Sequence, residues 1–152
     1  MDYKKQDRLY DEKVLEIARV SRTVKGGKRI SFRSVVVVGD KNGKVAVATG
    51  KGTEVSTSIK KASSRAKKRF INIKMNDNES IKRQVISSYG TSKVLLRPAP
   101  KGTSIIAGPV VRAVCELAGI KNIVSKLYGS NNKKNTAYAT LNGLKKASLD
   151  GI

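Results

Sequence analysis

Lysine and arginine are the side chains best placed to do chemistry in this 152-residue chain, and that chemistry is the binding of anions. The sequence holds 32 Lys and Arg against 11 Asp and Glu, which gives a formal net charge of +21. The excess covers both halves, at +13 for residues 1–75 and +8 for residues 76–152. Because a surface this basic attracts polyanions, the sequence predicts a nucleic acid or an anionic membrane surface as the partner.

Side chains that support catalysis are missing or isolated. The sequence contains no His, which excludes Ser-His-Asp and Cys-His catalysis and the common zinc and haem sites that need an imidazole. The acidic residues are scattered, so a carboxylate pair for acid–base chemistry is not expected. The single cysteine, Cys115, cannot form an internal disulfide and is predicted to be a buried structural thiol. We therefore predict no enzymatic activity, no metal and no cofactor.

Motifs for nucleotide binding and for base stacking are also absent. Glycines beside lysines suggest a phosphate loop, but Gly43 and Gly50 are too far apart for the Walker pattern, and Gly52 follows Lys51 where Ser or Thr is needed. The RNP1 motif and the K homology G-x-x-G loop are not found. Five Tyr and two Phe offer few rings for stacking. This composition favours recognition of phosphates and of A-form shape.

The first half of the chain predicts a β-meander. The patterns from Val14 to Val24, from Ile30 to Val38 and from Lys44 to Thr49 are typical of strands. Glycine-containing turns at 25–28 and 39–43 separate these strands, and the Asn-Gly pair at 42–43 is expected to supply the positive φ of a hairpin.

A helix with one apolar and one basic face is predicted to follow the meander. The apolar face consists of Val55, Ile59, Ala62, Ala66 and Phe70. The opposite face carries Lys60, Lys61, Arg65, Lys67 and Lys68. Since no acidic residue interleaves with these cations at i+4, we expect this face to contact an anion and not merely solvent.

The second half of the chain predicts a β-β-α-β-α order, which is an α+β arrangement. A polar stretch at 72–80 marks a domain boundary, and a turn at 88–91 divides residues 81–97 into two strands. Pro109 suits the first turn of a helix that buries Val114 and Leu117, and Gly119 suits its C-terminal cap. A strand over 120–127, a turn and N-cap at 128–132 and a last helix complete the order.

Four ordered segments resemble the bacterial-type family of small-subunit ribosomal protein five. The similar segments are residues 19–32, 38–45, 98–114 and 128–144, and the resemblance covers about residues 14–147. It implies a double-stranded-RNA-binding-like meander plus helix over 14–75, after a flexible segment at 1–13. It also implies a second α+β domain over 76–152 with a left-handed βαβ crossover.

The family resemblance implies a non-catalytic constituent of the small ribosomal subunit. Its implied partners are the small-subunit rRNA, small-subunit proteins four and eight, and mRNA near the path by which mRNA enters, with an influence on decoding accuracy. The implied location is on the ribosome, in the cytoplasm or, for an organelle-encoded chain, in the plastid stroma. No membrane partner is implied.

The candidate site residues come from two sources. By position, the resemblance implies RNA contacts at Arg19, Arg22, Lys25, Gly26, Gly27, Lys28 and Arg29. The basic helix and the Gly-Lys-Gly segment before it, which loosely resemble double-stranded RNA readers, add Lys51, Lys60, Lys61, Arg65 and Lys68. The resemblance also links Gly102 and Arg112 to the contact with protein four and to accuracy.

Two other functions remain open on the sequence alone. The protein subunit of an RNA-processing ribozyme shares the topology of the second domain and would explain a basic chain without His, but it leaves the meander over 14–50 without a role. A cationic protein of the membrane surface would need an apolar face that inserts into the membrane, but the apolar face of the basic helix is predicted to be buried in the core. Neither alternative accounts for the four ordered segments.

Overall fold

The structure, a computed structural model, describes residues 10–148, which form two four-stranded sheets and three helices. The elements in chain order are β1 (Asp11–Val24), β2 (Gly27–Gly39), β3 (Lys44–Gly52), α1 (Val55–Lys67), β4 (Ile71–Asn72), β5 (Val85–Tyr89), β6 (Ser92–Pro98), β7 (Ile105–Ile106), α2 (Pro109–Ala118), β8 (Ile123–Gly129) and α3 (Lys133–Ser148). The strand orders are β1-β2-β3-β4 and β5-β6-β8-β7. The predicted α+β class is confirmed.

The first sheet is the predicted meander, with antiparallel pairing of β1 to β2 and of β2 to β3. β1 begins at Asp11, three residues before the predicted start. In the turn after β2, Gly43 of the Asn-Gly pair has positive φ as expected, and the second residue with positive φ is Lys41 and not Asn42. The reason is the Asp40 carboxylate, whose Oδ1 accepts hydrogen bonds from the backbone N–H of Asn42 at 2.8 Å and of Lys44 at 3.0 Å.

The first sheet is buried on both faces. On one face, Val36 and Val38 pack with Ala62 and Ala66 of α1. On the opposite face, Val35 and the other buried valines of β2 and β3 form part of a larger core with α2 and α3. The first sheet is therefore the middle layer of the molecule, and the two halves of the chain share one core.

Helix α1 is shorter than the predicted apolar face. It ends at Lys67 with Lys68 as its C-cap, and the N–H of Arg69 still donates to the carbonyl of Ala66 at 2.9 Å. Phe70 leaves the helix, and its ring lies 4.7 Å from that of Tyr10. The chain then pairs through β4 with the start of β3.

The second sheet combines a β5–β6 hairpin with a parallel pair, β7 and β8, that α2 connects. Pro109 opens α2 and Gly119 caps it at φ 91°, as predicted. The short β7 was not predicted, and β8 begins at Ile123 and not at Ile120. The left hand of the crossover and the domain boundaries at 13/14 and 75/76 stay predictions, and residues 1–9 lie outside the described part of the chain.

Candidate nucleic-acid interface

The outer part of the β1–β2 hairpin, residues 19–30, projects without a core of its own; we call it the hairpin tip. Each of its side chains is exposed or half-buried. Val24 faces Gly27 across a two-residue loop formed by Lys25 and Gly26. Gly26 has φ +95° and Gly27 +153°, values that side chains disfavour, so glycine is needed here for backbone geometry.

Cations lie on both faces of the hairpin tip. Arg22 and Arg29 are directly opposite each other and therefore share one face. Arg19 and Lys28 lie on the other face, because side chains alternate along a strand. Residues 17–39 contain no acidic side chain to neutralise them. The structure thus brings the hairpin residues predicted from the resemblance into one exposed, uncompensated ribbon.

A second basic surface lies on α1. Lys60 and Lys61 of α1 and its C-cap Lys68 are exposed, and we call these three residues together with Arg65 the α1 face. Arg65 also has a structural contact, since its Nη1 donates to the carbonyl of Thr49 at 3.1 Å. Lys51 of β3 is exposed too, but its side chain lies on the other face of the first sheet, because Gly50 and Gly52 on either side of it contact α1. No carboxylate among residues 10–148 forms an ion pair with any of these five residues. The structure therefore groups the four cations of α1 and separates Lys51 from them, while the contact of all five with RNA stays a prediction.

The acidic residues of β1 neutralise the opposite flank of α1. Glu12 accepts a hydrogen bond from Ser63 Oγ, and its carboxylate lies 3.2 Å from Lys67 Nζ. Lys67, which the helical wheel places on the basic face, is thus held by an acid far away in sequence. Nearby, Glu16 pairs with Arg33 at 3.8 Å. The Glu16–Arg33 pair joins the neighbouring strands β1 and β2. No local pattern signals the Glu12–Lys67 pair, because it forms only when β1 lies beside α1.

Gly102 and Arg112, the predicted protein-contact residues, both lie around β7. The N–H of Gly102 donates to Oδ1 of Asn122 at 3.2 Å. Arg112 Nη2 donates to the carbonyl of Ile105 at 3.1 Å, and its Nε lies 3.9 Å from the Glu116 carboxylate. Both residues stay accessible while being tied to the second sheet.

Asn122 organises the loop that carries Gly102, and sequence reasoning missed it. Its side chain is buried, with 5% exposure, and Oδ1 also accepts from the N–H of Ser104 at 3.1 Å. Its Nδ2 donates to the carbonyl of Asn78 at 2.7 Å. The polar residues at 76–80, within the predicted boundary at 72–80, are therefore hydrogen-bonded to the second half of the chain. An isolated Asn in a loop gives no signal of this role.

The outer face of the second sheet is open and partly apolar. Ile86, Ile106 and Tyr128 are large and exposed there. Lys93 and Lys126 alternate with buried residues on the same strands and point outward beside them. An exposed apolar face of this kind is typical of a surface that contacts another protein.

The described residues show no reactive centre. Burial, with a smaller contribution from Glu116, raises the pKa of the Cys115 thiol to about 12, so the thiol is inert in the folded state. Among residues 10–148, no three His, Cys, Asp or Glu side chains come together as a metal site would require. Within the same residues, no helix is long and apolar enough to cross a membrane.

Together, the open cationic ribbon, the basic helix face and the layered α+β core define a nucleic-acid-binding protein that works through shape and charge. Known families agree with this class. The family described as "Ribosomal protein S5, N-terminal domain" matches residues 10–74 of the chain. The family described as "Ribosomal protein S5, C-terminal domain" matches residues 87–149.

Individual relatives are similar over most of the chain. "Small ribosomal subunit protein uS5" of Thermotoga petrophila is 53% identical over 136 residues, which are 90% of this chain and 76% of the relative. "Small ribosomal subunit protein uS5c" of Emiliania huxleyi is 46% identical over 145 residues, 94% of this chain and 91% of the relative. The uS5 of Nostoc punctiforme is 45% identical over 141 residues, 93% and 81% of the two chains.

The chain belongs to the ribosomal protein S5 (uS5) family. It is thus a structural, non-enzymatic constituent of the small ribosomal subunit, where it contacts rRNA and other ribosomal proteins. Its location is on the ribosome, in the cytoplasm or, for an organelle-encoded chain, in the plastid stroma. The resemblance drawn from the sequence is confirmed.

Proposed function

We propose that this protein docks on small-subunit rRNA through two surfaces of its first half, the hairpin tip and the α1 face. The second half contacts neighbouring ribosomal proteins, with proteins four and eight as the expected partners. Through these contacts the protein helps to line the path of incoming mRNA and influences decoding accuracy. The domain limits that belong to this proposal are 14–75 and 76–152; residues 11–13, predicted as part of a flexible segment at 1–13, pair with β2 as the start of β1.

The observation that carries the RNA contact is the pairing of Arg22 with Arg29 across the hairpin tip. Like charges directly opposite each other destabilise a strand pair, and no acid on the ribbon offsets the repulsion. A phosphate between the two guanidinium groups removes this repulsion and gains charge-assisted hydrogen bonds. Because Arg19 and Lys28 point the opposite way, the ribbon can hold two RNA segments, one on each face.

The α1 face supplies a second, broader contact. Its exposed lysines extend along one side of a helix whose other side is fixed against the first sheet. Cations held on a rigid helix recognise the spacing of phosphates and not the identity of bases, as in readers of double-stranded RNA. Two rigidly connected surfaces define one orientation of the protein on the rRNA.

The protein-contact role rests on the loop of Gly102 and on Arg112. Asn122 holds the Gly102 loop to the start of β8, and Arg112 is joined to β7 through Ile105. β7 and β8 are paired, so both positions belong to one rigid unit. A neighbour that binds here shifts the whole second domain, which supports a role for these two residues in accuracy.

Charge reversal in the hairpin tip tests the RNA contact. Lys25→Glu and Lys28→Glu variants compete with isotope-labelled wild-type protein during reconstitution of small subunits, and Lys145→Glu, an exposed helix lysine on α3, is the matched control. We expect the two tip variants to be under-represented in sedimented subunits. The slope of the logarithm of the rRNA-binding constant against the logarithm of the salt concentration should become shallower by about 0.9 for each phosphate that the variant no longer neutralises. The control should incorporate nearly as well as the wild type.

The same experiment can contradict the proposal. Incorporation of both tip variants at the level of Lys145→Glu would show that the hairpin tip does not bind rRNA. Thermal unfolding of each variant separates a docking defect from a folding defect, and we expect the turn variants to unfold within about 0.5 kcal/mol of the wild type because the turn has no core role.

A further inference from the structure

Side chains from both halves of the chain lie close to β3. β4 pairs only with Lys44 and Val45, so the later part of β3 has no strand beside it on that edge. The opposite edge of β3 is paired with β2 along nearly its whole length, so only the edge beyond β4 is free. At β3, Arg65 of α1 donates to the carbonyl of Thr49 at 3.1 Å. Tyr138 of α3 packs against the core that Val45 and Val47 of β3 share with the second half. The first and second halves therefore meet beside β3.

A pair of stacked aromatic rings continues this contact toward solvent. The ring of Tyr138 lies 5.1 Å from that of Tyr89, with 29° between the planes. Tyr138 is half-buried, whereas Tyr89, at the end of β5, is 40% exposed. Tyr138 thus holds Tyr89 as an open, fixed ring at the surface.

Positive charge acts on Tyr138. Burial, with a smaller contribution from Tyr89, raises the pKa of Tyr138, while Thr49 and the charges of Arg69 and Arg65 act in the opposite direction. Arg69 was not among the predicted site residues, although the predicted helical face extends past it to Phe70; its spacing of four from Arg65 continues the basic stripe that begins at Lys61.

We propose that the Tyr89–Tyr138 pair and the neighbouring Arg65 and Arg69 form a binding site for one unpaired nucleotide of rRNA. The base stacks on Tyr89, and the arginines bind the adjoining phosphates. Stacking on a fixed ring beside cations is how proteins hold unpaired nucleotides. The inference rests on the proposed rRNA docking and adds to it a contact that reads an unpaired base and not only phosphates.

The site exists only at the junction of the two halves. The arginines belong to the first half and the tyrosines to the second, and Arg65 is bonded to Thr49 of β3, against which α3 packs. A protein partner could also cover an exposed tyrosine, but two arginines without an adjacent acidic ligand favour an anion. An RNA strand that follows the α1 face reaches this site from Lys61, so both surfaces can bind one continuous strand.

Photocrosslinking on intact small subunits tests the proposal without any substitution. After irradiation and trypsin digestion, mass spectrometry should find nucleotide adducts on Tyr89 in the peptide 84–93. The peptide 127–133 is the internal control, because it contains Tyr128, which is 48% exposed and lies on the opposite face of the same sheet. Equal adducts on the two peptides, or a protein adduct at Tyr89, would overturn the nucleotide site.

Substitution of Tyr89 gives an independent test by competition during reconstitution. Loss of stacking should favour wild type over Tyr89→Leu by about fivefold or more, whereas Tyr89→Phe, which keeps the ring, should compete near parity. Parity for Tyr89→Leu would contradict the site. If the Lys25→Glu variant is excluded while Tyr89→Leu is not, the rRNA docking stands and only this inference fails; if both compete at parity, the docking proposal fails as well.

Discussion

At the scale of single residues, Asn122 connects the core of the second half to the proposed protein contact. Its buried side chain satisfies two backbone N–H groups and one carbonyl, all in part-buried hydrogen bonds. The position of Gly102 in space therefore depends on one amide group. This dependence makes Asn122 a positioning residue for a surface that it does not itself form.

Replacing Asn122 should loosen the Gly102 loop and destabilise the protein. Asn122→Ala leaves buried polar groups unpaired, and we expect the free energy of unfolding to fall by about 2–3 kcal/mol. Asn142→Ala, at an exposed position on α3, is the control and should change it by less than about 0.5 kcal/mol. Denaturant titration measures both, and equal values for the two variants would contradict the role given to Asn122.

Cys115 predicts a specific dependence of stability on alkaline pH. The thiol pKa rises from 9.0 in the unfolded chain to about 12 in the folded protein because burial disfavours the thiolate. The folded state thus holds the proton more tightly, so the stability from this group is complete below pH 9 and is lost as pH rises toward 12.

The Cys115→Ala variant isolates this effect. The stability difference between wild type and variant should shrink by about 1.4 kcal/mol per pH unit above the unfolded-state pKa. Denaturant titrations at several pH values check the slope. A difference that stays constant with pH, or rapid labelling of Cys115 by a thiol reagent in the folded protein, would contradict a buried, protonated thiol.

At the scale of elements, the hairpin tip combines poor internal stability with strong outward charge. Its two strands have no buried side chain, and Arg22 faces Arg29. At position 22, the stability of the hairpin therefore favours a residue without positive charge, whereas the binding of an anion favours arginine.

Arg22→Glu should separate these two demands. In the free protein it replaces a like-charged pair by an opposite-charged pair, which favours the closed hairpin by about 0.2–1 kcal/mol. Hydrogen exchange of the tip amides should therefore slow, while incorporation into small subunits should fall. Arg22→Gln, which removes the charge without reversing it, should fall between wild type and Arg22→Glu in both measurements. A variant with slower exchange that docks normally would show that the ribbon charge is not used in binding.

The elements that could be predicted are those with a local signal. Alternation and turn residues identified the meander, and the period of apolar residues identified α1, because each pattern repeats over many residues. The two-residue strand β7 is too short to repeat a pattern. The hydrogen bonds of Asn122, the Glu12–Lys67 pair and the Tyr89–Tyr138 stack join residues far apart in sequence. Such contacts depend on tertiary packing and leave no trace in local spacing.

At the scale of the whole molecule, the two halves behave as one body because the turn after β2 is built into the end of α2. The N–H groups of Lys41 and Gly43 donate to the carbonyls of Leu117 and Ala118, each at 2.9 Å. A Cβ atom on Gly119 would collide with the carbonyl of Lys41. We call this contact between the turn and the end of α2 the seam. We expect the seam and the shared core to give a single unfolding transition, observed as coincident unfolding curves from probes in each sheet.

Gly119→Ala tests the coupling of the two halves. Both the backbone φ of +91° and the contact with Lys41 oppose a side chain there, so the free energy of unfolding should fall by more than about 2 kcal/mol. Gly102→Ala is the matched control, because Gly102 has φ +93° with open space around it and should lose only the 1–2 kcal/mol or so that comes from the backbone.

The part of the protein that loses protection from hydrogen exchange in Gly119→Ala shows whether the seam couples the two halves. Because the first sheet has one face against α1 and the other in the shared core, opening the seam exposes Val35 and its neighbours as well as α2. Hydrogen exchange of Gly119→Ala should therefore show equal loss of protection in β2–β3 and in β5–β6. Loss confined to the second sheet, or a change no larger than that of Gly102→Ala, would mean that the halves fold independently. The angle between the proposed rRNA surfaces and the protein-contact surface would then not be fixed by the fold, and a neighbour bound at Gly102 could not influence the hairpin tip.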